Sequence, residues 1–270
     1  MSNKLVSVVI PCYNCESTIE ETIQSVLSQS YKNIEIICIN DGSTDGTSSK
    51  LEKITSFNNN IVCISQENRG QTKSRNTGAK KAKGIYLLFL DSDDRIDSTF
   101  IEKSINILES NPTIQIVYSL ATFFGDTNEQ WKLPEYEFKS FLINNCIPIT
   151  ALIRMEEFNK AGGFDESITF YEDWELWLKI ILNGGEVYRI PEVLFFYRKH
   201  SKETSLTDNA IKDNYIFSIN KLKIYHKHYN VYHKHIGSFE NLVYDAIIYK
   251  KKYYNQWFKK IFYKFKKPLK

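Results

Sequence analysis

At 270 residues, 42% hydrophobic and 25% charged, the chain has the composition of an ordinary globular protein, long enough to bury a core without disulfides or a structural metal. Its five cysteines (Cys12, Cys15, Cys38, Cys63 and Cys146) are odd in number and scattered, which argues against an oxidised secreted framework and for a reducing cytoplasm. Residues 250–270 hold nine lysines and no acid; taking those nine from the net charge of +3 leaves −6 on the rest, which excludes a nucleic-acid-binding domain with basic residues spread over its folded face.

The first 14 residues contain too short an apolar stretch for a signal peptide, so the mature chain is expected to begin near Met1. The longest apolar run, residues 85–90, has six residues against the ~18 a membrane-spanning helix needs. Short β-branched runs at 6–10, 34–39, 61–64 and 85–90 are apolar on both faces, as strands of a parallel sheet covered by helices must be. Between them, residues 17–29 place Ile19, Ile23, Val26 and Leu27 at helical spacing, and residues 71–83 form a lysine-rich amphipathic helix ended by Gly84. This βαβαβαβ order predicts an open α/β sheet whose ligand crevice lies beyond the carboxyl ends of its strands.

Three polar segments occupy those ends: Pro11-Cys12-Tyr13-Asn14, the NDGSTDG stretch at 40–46, and Asp91-Ser92-Asp93-Asp94. Neither a dinucleotide-binding glycine fingerprint nor a P-loop follows the first strand. The stretch at 40–46 reads as a tight turn and helix cap, and such a turn is compatible with a site. Three carboxylates in four residues after a buried strand repel one another unless something cationic offsets them; Mg2+ or Mn2+ binds through one or two carboxylates plus substrate phosphates. The alternative is a solvated loop with Asp94 or Asp97 capping the helix near Thr99. Further on, residues 119–145 read as irregular, and Gly162-Gly163 makes a turn. A helix then starts at Glu172-Asp173 with Trp174, Leu176, Trp177 and Ile180 on its apolar face. Acids favour the first turn of any helix, so position alone leaves the role of that pair open. Arg198 and His200 are either a strand-end basic pair or part of a site. Residues 206–270 read as a helical C-terminal extension of a domain at 1–205.

In order and spacing, the motifs SVVIPCYN (7–14), INDGSTDGT (39–47), NRGQTKSRNTG (68–78), FLDSDD (89–94), GGFDE (162–166), YEDWELWLKI (171–180) and YRKHSKETS (197–205) resemble family 2 of the inverting nucleotide-sugar glycosyltransferases. The resemblance covers about residues 5–205. It implies a GT-A fold, a Rossmann-like, mostly parallel central sheet flanked by helices. By the same resemblance Pro11, Tyr13 and Asp41 line the base pocket, with Asp41 accepting from the imide of a uracil-like base. Arg75 lies near the diphosphate or the crevice carboxylates, and Arg198 near the diphosphate. Asp91 contacts ribose or sugar hydroxyls, Asp93 holds a Mn2+ or Mg2+ ion that bridges the diphosphate, and His200 is a further metal ligand. Asp173 is the general base, with Glu172 beside it. The segment at 119–145 would face the acceptor. Ser74 stands where the family often has alanine, a conservative departure.

The implied activity is transfer of a sugar from a nucleotide sugar, UDP-linked by preference, to a saccharide or lipid-linked glycan acceptor in lipopolysaccharide, capsule or similar surface-glycan synthesis. A nucleotidyltransferase on a related sheet would need a glycine-rich basic loop after the first strand, and residues 11–16 show none. A noncatalytic lipid- or polyanion-binding module would leave the Asp motifs without purpose. Cys12-x-x-Cys15 has redox spacing but stands where the base is expected. In the histidine-rich stretch at 225–235, His226 and His228 are two apart and do not share a helix face.

The tail interleaves its lysines with Tyr253, Tyr254, Trp257, Phe258, Phe262, Tyr263 and Phe265. Written on a helix, Tyr254, Trp257, Phe258, Ile261 and Phe265 share a face, the pattern of an interfacial helix on an anionic membrane surface. The expected location is cytoplasmic, peripheral on the inner face of the cell membrane. The competing reading packs that face on the body or on a twin subunit in a homodimer.

Overall fold

The computed structural model describes residues 4–200 and 214–238, together with 241, 244 and 248. The chain divides into two compact units, Met1–Lys221 and Leu222–Lys270. The boundary expected between 205 and 206 lies outside the described residues, as does the basic-aromatic tail at 250–270.

The first unit is built on a nine-stranded sheet. Its parallel half comprises β1 (Val6–Cys12), β2 (Ile34–Asp41), β3 (Ile61–Gln66) and β4 (Tyr86–Phe89) in the order β3-β2-β1-β4. Every residue of β1 is buried, as a central strand covered on both faces requires. The crossovers are α1 (Ile19–Leu27), α2 (Thr47–Ser56) and α3 (Gln71–Lys81). Helix α1 buries Thr22 and the apolar Ile19, Ile23 and Val26. Helix α3 instead lies close to the sheet through small residues: a Cβ on Gly78 would sit 2.3 Å from Val9 Cγ1. The helix stops at Lys81, and Gly84 then passes so near β1 that a Cβ there would meet Ser7 N at 2.6 Å.

The second half of the sheet is mixed. It comprises β5 (Arg95–Ile96), β6 (Ile114–Gly125), β7 (Gln130–Trp131), β8 (Leu152–Arg154) and β9 (Glu186–Lys199), with helices α4 (Phe100–Ser110), α5 (Phe138–Phe141), α6 (Met155–Lys160) and α7 (Glu172–Leu182). Strand β8 is antiparallel to both β4 and β6, while β6 and β9 run parallel. Strand β5 pairs antiparallel with β9, Arg95 opposite Phe196, which returns the end of β9 to the loop after β4.

The segment at 119–145 is more regular than its sequence suggests. Strand β6 continues to Gly125, and register shifts around Ser119 to Ala121 break the strict alternation by which a strand is recognised. Phe123 stacks on Trp131 with ring centroids 5.4 Å apart. After the first unit's strands come α8 (Asn214–Lys227) and α9 (Tyr229–His235). Within the second unit Tyr225 and Tyr232 pack at 4.0 Å and Tyr229 stacks on His233. Among the described residues no helix is long and apolar enough to cross a membrane.

Candidate active site

The carboxyl ends of β1 and β2 are lashed together by short polar side chains. Asn14, in the left-handed region at φ +48°, accepts from Thr44 N at 2.8 Å, while its own N–H donates to Ser43 Oγ. Cys15 N donates to Thr47 Oγ1, and Glu16 Oε2 accepts from Gly46 N. Pro11 is buried in this frame, whereas Tyr13 is 51% exposed at its mouth. The five cysteines are free thiols, and the Cys12-x-x-Cys15 pair is buried beneath the loop.

Asp41, at the end of β2 and only 3% exposed, organises the segment leading into α3. Its Oδ1 accepts from Gln66 Nε2 at 2.6 Å and Arg69 N at 2.9 Å, and its Oδ2 accepts from Gly70 N at 2.8 Å. Gly42 permits this closure: it has φ +71°, and a Cβ would lie 2.8 Å from Asn68 N.

Arg75 joins two acidic motifs far apart in sequence. Projecting from α3 and 1% exposed, it donates through Nη2 to Asp91 Oδ1 at 2.5 Å and through Nη1 to Glu172 Oε1. Gln71 Nε2 also donates to Glu172 Oε1, at 3.1 Å. Burial alone would disfavour the guanidinium charge, but Asp91 and Glu172 outweigh it and hold Arg75 protonated. Burial likewise pushes the Glu172 carboxyl up, with Arg75 opposing.

Asp173 is half-buried beside this cluster. Its Oδ1 accepts from Trp174 N at 2.7 Å and its Oδ2 from Asn145 Nδ2 at 3.0 Å. Burial, reinforced by the neighbouring Glu172, pushes its carboxyl up to about 7. The preceding Tyr171 holds φ +67°, unusual for a bulky residue, and packs against Phe170, Trp174 and Phe217. Trp174, Leu176, Trp177 and Ile180 are fully buried and fix α7.

The loop after β4 is closed by the end of β9. Asp93 Oδ2 and His200 Nε2 lie 2.8 Å apart, each side chain about one third exposed. Burial and then Asp91 push the Asp93 carboxyl up, with His200 opposing. Arg198 N donates to Asp94 Oδ1 and Arg198 Nε to Asp93 O, both at 2.8 Å. Its guanidinium also pairs with Glu21 and lies 4.3 Å over the Phe124 ring. Asp94 is buried, pushed well up by that burial and by Asp93, and its Oδ2 has no partner among the described residues. It is Asp97 that accepts from Thr99 ahead of α4.

No group of three or more His, Cys, Asp and Glu among the described residues, the histidine-rich stretch included, is arranged to hold a metal by itself. Asp93 and His200 nevertheless offer a carboxylate oxygen and an imidazole nitrogen at one accessible point. Such a pair fits a hard divalent cation that takes its remaining ligands from diphosphate and water.

Residues 7–164 match the family model described as Glycosyl transferase family 2. The chain belongs to that family. Among its relatives, an uncharacterized glycosyltransferase of Rickettsia typhi is 36% identical over 219 residues, covering 75% of this chain and 66% of the relative. The Escherichia coli UDP-Glc:alpha-D-GlcNAc-diphosphoundecaprenol beta-1,3-glucosyltransferase WfaP is 34% identical over 210 residues, covering 75% of this chain and 80% of WfaP. The crystal structure of S. aureus TarS residues 1–349 with UDP-GlcNAc aligns with a TM-score of 0.63 at 21% identity, over 73% of this chain and 59% of that one. Mannosyltransferase PcManGT from Pyrobaculum calidifontis, in complex with GDP-Man and Mn2+, aligns with a TM-score of 0.59 at 18% identity, over 82% and 69%. These two share the GT-A fold with the family 2 domain described here. The chain spans about two thirds of the length of its Rickettsia relative.

The structure thus brings Arg75, Asp91 and Glu172 into one cluster, with Asp173 beside it and Asp93 against His200. Pro11, Tyr13 and Asp41 stand on the loops at the ends of β1 and β2. Three participants escaped the sequence reading. Gln71 lies within a quoted motif and could have been found there, and Tyr171 precedes the acidic pair. Asn145 carries no local signal.

Proposed function

We propose that the protein is a metal-dependent inverting glycosyltransferase, moving a sugar from a UDP-linked donor to a saccharide carried on a lipid-linked or other surface glycan. The observation that carries this reading is the buried Arg75, which pairs with Asp91 and Glu172 and so draws the motifs at 91–94 and 172–173 together; Asp173 lies beside it, its carboxyl pushed up to about 7 by burial and by Glu172. Its relatives support it: WfaP is a UDP-Glc:alpha-D-GlcNAc-diphosphoundecaprenol beta-1,3-glucosyltransferase, and the TarS structure contains UDP-GlcNAc.

Pro11 and Tyr13 would flank the base. Asp41 already accepts three hydrogen bonds, and a carboxylate has about four acceptor positions, so Oδ2 keeps one for the imide N–H. Asp91, held by Arg75, would take donor hydroxyls, and Arg198 fixes the loop at 93–94 next to the diphosphate. Asp93 and His200 would hold Mn2+ or Mg2+, which when bound offsets charge on the departing diphosphate. Asp173 takes the acceptor hydroxyl proton as that oxygen bonds the anomeric carbon and the bond from that carbon to the diphosphate oxygen breaks. The electron pair leaves with UDP, the proton stays on Asp173, and configuration inverts. Glu172 is the secondary acid, its charge already matched by Arg75.

Calorimetry of UDP with and without Mn2+, followed by hydrolysis of UDP-glucose, UDP-GlcNAc and GDP-mannose, tests the proposal. Mn2+-enhanced UDP affinity and release of a nucleoside diphosphate are expected. Release of pyrophosphate from a sugar phosphate and a nucleoside triphosphate would favour a nucleotidyltransferase, and absence of all nucleotide binding would favour a noncatalytic module.

A further inference from the structure

The end of α5 and the loop from it to β8 are joined to α7 at three points. Trp174 Nε1 donates to Phe141 O at 2.8 Å and Trp177 Nε1 to Ile147 O at 3.2 Å, both indoles being fully buried. Between them, Asn145 Nδ2 donates to Asp173 Oδ2 at 3.0 Å. An amide can present either end, but here the other end decides it: Asn145 Oδ1 accepts from Ile147 N at 3.0 Å, so the NH2 group must face Asp173.

The charged and titratable neighbours of Asp173 come from several elements. Glu172 and Tyr171 lie on its own segment, Arg75 on α3, and Asp91 after β4. Lys221, on α8, lies over the Tyr171 and Trp174 rings at 5.4 and 5.8 Å. The Arg75 hydrogen bonds go to Asp91 and Glu172, so the side chain seen donating to Asp173 is that of Asn145.

We infer that Asn145 is a positioning residue for the general base, holding the Asp173 carboxylate in one orientation and favouring its ionised form. The inference rests on Asp173 being the base, as proposed above. A donor to a carboxylate stabilises the charge and acts against burial and Glu172. Without it, Asp173 ionises only at higher pH.

The test uses the full chain and whichever of UDP-glucose, UDP-GlcNAc and GDP-mannose it hydrolyses fastest, with water as acceptor and diphosphate release read against pH. Asn145→Asp keeps the size and the acceptor for Ile147 N but replaces the donor with a charge. Asn145→Ala removes both bonds. The acidic limb should move alkaline by about one unit or more in Asn145→Asp, roughly a tenfold loss at pH 6, and by less in Asn145→Ala. UDP affinity should stay unchanged in both. A purely structural role predicts that Asn145→Ala loses turnover at every pH with the limb fixed. A carboxylate placed beside Asp173 moves the limb in Asn145→Asp whatever the native amide does, so the deciding variant is Asn145→Ala, with Asn145→Ser, which keeps a short acceptor for Ile147 N, in its place if alanine fails to fold; an unmoved limb in the folded variant overturns the inference. Should Asp173→Asn itself keep parental hydrolysis, the base assignment fails instead, so the two failures are separable.

Discussion

Asp173 can accept a proton only after losing its own, which makes its environment a statement about rate. With burial and Glu172 raising its carboxyl to about 7, the base is mostly protonated at pH 6 and mostly ionised at pH 8. Turnover should therefore climb with pH through about 7 and level off above it, to about one tenth of the plateau at pH 6. Asp173→Asn keeps the shape but cannot take the proton, so transfer should fall by ~10² or more while UDP affinity survives. Turnover within a few-fold of the parent would move the base to Glu172 or Asp165. At the other end of the crevice, Asp93 contributes little packing, because its side chain is one third exposed. Asp93→Ala should keep the melting temperature and lose the Mn2+ enhancement of UDP binding, as read by calorimetry. Because Asp93 and His200 supply two ligands, Mn2+ without nucleotide should bind the parent weakly; tight binding of Mn2+ alone would contradict a shared site.

Helix α3 ties the site to the fold, and Arg75 is where the two meet. Removing one partner from a buried ion pair leaves the other charge stranded, at a cost of about 3–5 kcal/mol. Arg75→Met, which leaves Asp91 and Glu172 facing each other, should thus lower stability by that order in chemical denaturation, beyond any loss of activity. A change under 1 kcal/mol would mean the carboxylates find water or one another. Elements buried by apolar periodicity were legible in the sequence: β1, β2 and β4 as two-faced apolar runs, α1 and α7 by their stripes. Helix α3 was legible as a helix, but its close seat on the sheet depends on Gly78 meeting Val9, which no periodicity reveals. Helix α2 buries little beyond Thr47 and Leu51 and has no stripe to single it out. The end of β6 was hidden by its register shifts. The same divide runs through the site. Local motifs named its acids, but the bridge from Arg75 to Glu172 spans 97 residues and that from Asn145 to Asp173 spans 28. Such pairs follow from packing, not from spacing.

At the scale of the whole molecule, charge is divided between a body of net −6 and a terminal stretch of nine lysines and seven aromatics. Residues 250–270 lie outside those described, and their composition alone is used. A lysine near an anionic leaflet contributes about 1 kcal/mol, screened by salt, and aromatic side chains favour the headgroup level. An acidic body is repelled by the same leaflet, which would leave the tail as the point of attachment and hold the crevice near an acceptor carried on lipid. Full-length protein should therefore sediment with vesicles containing phosphatidylglycerol at low salt and release as salt rises toward 0.5 M, a range in which the screening length falls to about 4–5 Å. Replacing Lys250, Lys251, Lys252, Lys259 and Lys260 by glutamine should reduce vesicle binding at least tenfold while leaving nucleotide-sugar hydrolysis in solution unchanged. If the aromatic residues instead join two copies of the chain, the glutamine variant will bind vesicles as the parent does, and sedimentation equilibrium will show a dimer for both. Failure of the full-length protein to sediment with such vesicles at low salt would remove the membrane from the account and leave a soluble acceptor as the alternative.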